Sequence, residues 1–354
     1  MKIIGVDICC GLAWGDEAKG KIVSQLAKGK KYNFVCRWAG GNNAGHTVFV
    51  DGVKYETHLI PCGVFYNIPS IIGPDCVVNV ESFLNEIKYL QENNFNISLI
   101  KISPKAHIVT DDHINEDKAT VTQSQGSTSK GIAPCYSDKY RRCGIQASQI
   151  DELKEFIWDE KLYGYVLCEG AQGFWLDINH GNYPYVTSSV TLPYAACSLG
   201  FSPKLINNIY GALKIYDTRS GIDPDFPESL FDNEELKLVG NIGEEYGVTT
   251  GRKRKVKWLN LKKLIKAIHI SGVTHLIISK TDILEKAKLF KLFDQNEILL
   301  VFNTLEQMLF YVETILKENC NLTSIDFSNN PYTINDKPEN FFNTILKYGR
   351  TKVN

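Results

Sequence analysis

Net charge is almost absent from this chain. Its 354 residues carry 39 Lys and Arg against 40 Asp and Glu, a formal −1 at pH 7. That balance supplies no broad field to draw in nucleic acid or an anionic membrane, so an anionic ligand must be held by local clusters of cations. Paired cysteine motifs are missing too. The ten cysteines, from Cys9 and Cys10 to Cys320, contain no CxxC, and a chain of this length needs no disulfide framework. No stretch approaches the ~20 apolar residues that span a bilayer, and the opening MKIIGVDICCG has too short an apolar run for a signal peptide. The expectation is a reducing, cytoplasmic compartment, with the cysteines, the vicinal Cys9-Cys10 pair included, serving as small hydrophobes. Repeats, low-complexity segments and linkers are also lacking, so a single domain over residues 1–354 is expected.

What is present reads as α/β. Lys2 to Ile8 is a short β-branched run that predicts a buried strand, followed by a Gly-rich turn and a helical pattern from Ile22 through Leu26. Asn33–Trp38 predicts a second strand. Further strands are expected at Ser70–Ile72, Val77–Val80, Tyr165–Cys168, Asn208–Ile215 and His275–Ile278. Helices are expected at Val80–Asn94, Asp151–Asp159, Leu261–Ser271 and Thr304–Asn319. Strands alternating with helices predict a large, mostly parallel sheet covered by helices on both faces, like that of the phosphate-loop NTPases. Ligands of such sheets sit in the loops at the C-terminal strand ends. Polar loops fall there at 11–21, 39–47, 126–144, 170–191, 218–228 and 247–258. From about Lys286 the chain is rich in Asn and Lys, and its signals weaken.

Two of these loops carry chemistry by themselves. Gly15-Asp16-Glu17-Ala18-Lys19-Gly20-Lys21 approaches the phosphate loop GxxxxGK[ST], with Ile22 in place of the hydroxyl residue. Backbone N–H groups and a cation at a helix start cradle phosphates. A carboxylate there repels phosphate unless a metal or a proton transfer requires it, so Asp16 is either a solvated turn residue or a functional one. In the second loop, Trp38 to Thr47, small residues permit close approach to a ligand. His46 closes it, as a candidate acid or as a structural histidine.

Together WGDExKGK and GGxNAGHT resemble the N-terminal motifs of adenylosuccinate synthetases. The resemblance continues in order through Gly126–Pro134, Tyr136–Lys139, Glu169–Gly173 with Leu176–Gly181, Tyr183–Ser189, Thr249–Arg254 and Lys280-Thr281-Asp282, over about residues 2–285.

The resemblance implies a GTP-dependent ligase that joins L-aspartate to C6 of IMP through a 6-phosphoryl intermediate, giving adenylosuccinate, GDP and phosphate. Its chemistry is consistent with these residue types. The purine O6 is a poor leaving group, so a base must remove the N1 proton and make O6 a nucleophile toward the γ-phosphate. The implied catalytic residues are Asp16 as base and His46 at the phosphoryl group, with Asp16 and the Gly45 carbonyl as ligands of Mg²⁺. The implied GTP site is Gly15, Glu17, Lys19, Gly20, Lys21, Gly45, Thr47, Lys280 and Asp282. Asp282 can accept from both N1–H and the 2-amino group of guanine, and Asn330-Pro331 is expected to border the base. The purine monophosphate falls to Asn43, Thr128, Arg142, Gln172, Thr187 and Arg252, and aspartate to Thr250, Arg252 and Arg254. Arg142 is expected to act in the neighbouring subunit of a homodimer.

This sequence departs from the family pattern in places. Ala18 and Ser129 stand where the family has glycine, Lys130 replaces Arg, Asn42 replaces His, and Ser220 replaces a Val beside the ribose. The run Val190–Tyr194 differs, and the segment between 144 and 166 is shorter than in typical bacterial members. These bear on the acceptor nucleotide, leaving GMP or dGMP as an alternative that would give a 2-aminoadenine precursor. A non-catalytic guanine-nucleotide-binding protein would share the phosphate loop and KxD, but it leaves Asp16, His46 and the Thr250–Arg254 loop without purpose.

Overall fold

The computed structural model describes residues 2–29, 31–119, 126–247 and 251–335. Its centre is an eight-stranded sheet in which every pairing is parallel. Its strands, in chain order, are β1 (Ile3–Gly11), β2 (Phe34–Arg37), β3 (Ser70–Ile72), β4 (Ile100–Ile102), β5 (Gly164–Glu169), β6 (Ile206–Lys214), β7 (His275–Ser279) and β8 (Ser324–Phe327). Across the sheet the order is β8-β7-β6-β1-β5-β2-β3-β4. The first strand of the chain therefore lies in the interior, and Gly5 to Gly11 are all buried.

Alternation along β1 divides the core. Val6, Ile8 and Cys10 face one apolar layer and Cys9 the other. On the Cys9 side the sheet is covered by α1 (Lys19–Lys28), through Ile22, Val23 and Ala27, and by α2 (Val80–Glu92), through Phe83, Ile87 and Leu90. On the other side lie α6 (Leu261–Ser271) and α8 (Leu305–Asn319), through Leu264, Ile268, Met308 and Val312. The remaining α-helices among the described residues are α3 (Asp111–Ala119), α4 (Ile132–Arg141), α5 (Glu234–Ile242) and α7 (Thr281–Ala287). Asn79, Asn260 and Thr304 cap α2, α6 and α8 by accepting a backbone N–H of the first turn. A four-stranded sheet, Tyr216–Arg219, Lys255–Asn260, Lys291–Phe293 and Leu299–Val301, stands apart from the large one.

Three expected elements differ, the first being the 247–258 loop, which becomes strand from Lys255 onward. Asp151–Asp159 forms only a 3₁₀ turn over Asp151–Phe156, and the expected 126–144 loop contains α4. Pro134 is no obstacle there, because it lies in the first turn, where a missing N–H goes unmissed. All ten cysteines are free, and burial pushes the Cys10 thiol up to about 12, so the vicinal pair packs as thiols. Among the described residues no helix is long and apolar enough to cross a membrane.

Candidate active site

The loops that follow β1, β2, β5 and β7 leave the same C-terminal edge of the sheet, where open parallel sheets take their ligands. The first is organised by Glu17. This carboxylate is fully buried and accepts the N–H groups of Ala13 and Gly15 at 3.1 and 2.9 Å, while Lys19 Nζ closes on its other oxygen at 2.6 Å. A Cβ on Gly173 would come within 2.1 Å of Glu17 Oε1, so the loop closes only over glycine there. Glu17 thus points into the loop and ties Lys19 to it. Lys21 turns the other way, donating to Ser328 Oγ at 2.5 Å and to the Asn330 carbonyl at 3.0 Å, which brings the chain after β8 to the base of α1.

Gly15, Asp16 and Ala18 have φ of 88°, 61° and 66°. The turn pushes the Asp16 side chain outward, where it is 33% exposed beside Arg254. Ala18 and Ser129 (φ 54°), which stand where the resemblance has glycine, adopt the left-handed conformation, and Arg142, Gln172 and Lys280 share it. For a residue with a Cβ this costs roughly 1–2 kcal/mol, and it persists where the surroundings dictate it.

His46 starts a short hairpin, His46–Val50 with Val53–Thr57, that folds back against α1. A Cβ on Gly20 would meet the Thr47 carbonyl at 3.0 Å and His46 Cβ at 3.2 Å, so a glycine in the first turn of α1 lets the histidine approach the phosphate loop. His46 Nδ1 is hydrogen-bonded to Glu169 at the end of β5. Glu169 also accepts the N–H of Cys62 at 2.8 Å and lies 3.8 Å from Arg37. Burial pushes this carboxyl up, but His46, Arg37 and the Cys62 N–H outweigh it and hold it at about 2. Burial lowers the His46 pKa despite that charge. One ring nitrogen is thus fixed on an ionised carboxylate, leaving Nε2 for a ligand.

Arg254, expected in the aspartate site, is buried between two carboxylates. Its Nε lies 2.9 Å from Asp16 and its Nη1 2.6 Å from Glu245. Arg252 is exposed and lines a cavity of about 430 Å³ with Ser127, Ser129, Ser220, Lys253 and Lys255. Thr128 lies between two of those serines. Gln172 Oε1 accepts from Ser189, whose hydroxyl also meets Thr187, at 3.4 Å each. Asn43 folds onto its own loop, accepting from Gly41 N–H at 3.2 Å. Lys280 donates to the Gly243 carbonyl at 2.6 Å, and Asp282 pairs with Lys286 at 2.8 Å. Arg142, at the end of α4, is exposed. Thr250 lies outside the described residues.

The chain matches the adenylosuccinate synthetase family model over residues 8–164 and 148–298. It belongs to that family. The adenylosuccinate synthetase of Lysinibacillus sphaericus is 36% identical over 344 residues, covering 80% of this chain and 79% of the relative. That of Cytophaga hutchinsonii is 38% identical over 341 residues, covering 79% and 78%. Among solved structures, the fully ligated adenylosuccinate synthetase of Plasmodium falciparum is similar with a TM-score of 0.80 at 28% identity, over 94% of this chain and 99% of that one. The cyanophage S-2L succinoaminodeoxyadenylate synthetase, bound to dGMP and dATP, shares the fold at a TM-score of 0.73 and 18% identity, over 99% of each chain. The family is one of C–N bond-forming ligases.

Three charged residues have no role assigned from the sequence, although Glu169 opens a quoted motif: Glu169, Glu245 and Lys214, whose Nζ donates to Glu245 at 3.0 Å. Glu169 and Lys214 each end an apolar strand, and a lone charge closing such a run is a signal that could have marked them. Glu245 lies in a polar turn and gives none.

Proposed function

We propose that this chain joins L-aspartate to C6 of IMP at the expense of GTP, through a 6-phosphoryl intermediate. The observation that carries the reading is the position of Asp16. It is a carboxylate turned outward from a phosphate loop, on the C-terminal edge of the sheet, with Arg254 beside it. An anion at that point has no use in a simple nucleotide-binding loop, but it suits removal of the N1 proton of a purine. O6 then attacks the γ-phosphate. His46, its Nδ1 fixed by Glu169, presents Nε2 to the phosphoryl oxygens as charge develops. Aspartate's amino group then displaces phosphate from C6, its carboxylates received by the Arg252 and Arg254 loop.

The residues present fit Mg²⁺. Asp16 and the Gly45 carbonyl are oxygen donors of the kind Mg²⁺ takes, and the Asp16 carboxylate keeps part of its surface open. The ion would draw charge from the phosphate oxygens. Arg142 is the part of the site we assign to a second copy of the chain.

Phosphate release with GTP, aspartate and, in parallel, IMP, GMP or dGMP tests the reading. Turnover with IMP is expected. A higher kcat/KM for GMP or dGMP would move the acceptor assignment to a guanylate, and no release with any of the three would overturn the function.

A further inference from the structure

Behind Arg254 lies a second carboxylate, one to which the site reading assigns no ligand. Glu245 is 1% exposed and sits just after α5. Its Oε2 receives Arg254 Nη1 at 2.6 Å and Lys214 Nζ at 3.0 Å. Its Oε1 receives the Tyr216 hydroxyl at 2.7 Å and has Lys280 Nζ at 3.6 Å. The backbone repeats the link, since Arg254 N–H donates to the Glu245 carbonyl at 2.9 Å and Lys280 Nζ to that of Gly243 at 2.6 Å.

These cations come from separate parts of the chain. Lys214 ends β6, Lys280 follows β7, and Arg254 precedes the strand Lys255–Asn260. Burial alone would neutralise the Glu245 carboxyl, but Lys214, Lys280 and Arg254 hold it well below the ordinary carboxylate range. Counting Asp16, three cations face two carboxylates, so the cluster keeps one positive charge in excess. When Asp16 turns to a ligand, Glu245 alone remains to hold the guanidinium in place.

We infer that Glu245 is a positioning residue: it fixes Arg254 for an incoming carboxylate and Lys280 for the guanine nucleotide with a single buried anion. The inference rests on the ligase reading above. A buried charge-assisted hydrogen bond that fixes a guanidinium fork reduces the freedom lost when the ligand binds. An Arg254 without that partner must be ordered by aspartate itself.

The test is Glu245→Gln, assayed for the KM of each substrate and for the thermal shift given by GDP. Because that variant leaves the buried Arg254 and Lys214 and the partly exposed Lys280 under-compensated, it is paired with Lys214→Met/Glu245→Gln, which removes one of the two buried cations. In both, the KM for aspartate is expected to rise about tenfold to a hundredfold, with the GDP-induced shift reduced and the acceptor KM within about twofold of the parent. The inference is overturned by unchanged aspartate KM, by equal losses for all three substrates, or by restoration of the aspartate KM in the double variant. A parent protein that turns over no purine nucleotide is a different failure, that of the ligase reading. In that case the GDP shift still reports on Glu245, and an undiminished shift in both variants overturns the inference.

Discussion

Arg254 Nε stands 2.9 Å from the carboxylate of Asp16, so the cation proposed to receive aspartate holds the carboxylate proposed as the base. The pair aims Asp16 before any ligand arrives, and aspartate can claim Arg254 only as Asp16 finds other partners. Asp16→Asn keeps the shape and removes the basicity. Turnover is expected to fall by about 10²–10⁴, with the thermal unfolding midpoint little changed because the side chain is partly exposed. Near-parental phosphate release from Asp16→Asn would remove Asp16 from the mechanism.

Glu169 should matter almost as much as His46. Glu169→Gln can still accept a hydrogen bond from Nδ1, yet it removes the negative charge that steadies a protonated ring. His46→Gln removes the ring itself. Each is expected to reduce kcat by about 10²–10⁴ while leaving the KM values within a few-fold. If Glu169→Gln keeps parental kcat, the His46–Glu169 pair is only packing. Nucleotide titrations followed by intrinsic fluorescence would show whether binding survives.

The parts of this site that were legible in the sequence are those where residue type alone dictates conformation. Glycines before Lys19 and Lys21 announced the phosphate loop, and the β-branched run before it announced β1, while Asn33–Trp38 ahead of Gly40-Gly41 announced β2. Thr304 and Asn319 bound α8 at its expected place. The Asp151–Asp159 expectation failed because acidic residues after Ile150 resemble a helix start, although the segment closes only as a 3₁₀ turn. The strands β4 and β8 were not among the expected ones, although they are no shorter than β3 and β2, which were. The ion-pair network was hidden for a different reason. Asp16, Glu245, Arg254, Lys214 and Lys280 meet only through the crossovers of the sheet, and no local pattern encodes that meeting.

The strained turns give a stability prediction. Ala18 and Ser129 hold φ of 66° and 54° with a Cβ present. Ala18→Gly and Ser129→Gly relieve that crowding, although glycine also gives the unfolded chain more freedom. The balance is expected to favour the folded state by about 0.5–1 kcal/mol per site. Urea midpoints measured for each variant check it, and a loss of stability at both positions would contradict it.

Asp217 supplies a pH dependence of definite sign. It is buried in the strand Tyr216–Arg219, and burial outweighs the Asn260 N–H and the charges of Lys257 and Lys214, pushing its carboxyl from 3.8 up to about 7. The folded state therefore holds this proton more tightly than the unfolded chain. The stability it contributes is full below about pH 4 and is lost as pH rises through 7. Asp217→Asn mimics the protonated form at every pH. Relative to the parent it should gain up to about 4 kcal/mol at pH 8 and almost nothing at pH 4. Taking the difference at each pH cancels all other titrating groups, so an equal gain at both values would rule out the assigned burial.

Arg142 has φ of 66° at the end of α4 and an exposed side chain. That conformation ends the helix, with the Arg142 N–H donating to the Lys139 carbonyl at 3.1 Å, and leaves the charged side chain in solvent. Placed across a two-fold axis, the same cation would complete the acceptor-phosphate site of a second copy, and each site would then depend on the dimer. Arg142→Leu should therefore be inactive alone, as should Asp16→Asn. Mixed and allowed to exchange subunits, the two should form heterodimers in which one site carries both lesions and the other carries neither. Recovery of up to about a quarter of parental activity is expected, since random pairing makes half the dimers mixed and each holds one working site. Exchange is followed by native mass spectrometry of the mixture. Mixed dimers without recovered turnover would confine Arg142 to its own subunit or to no role at all.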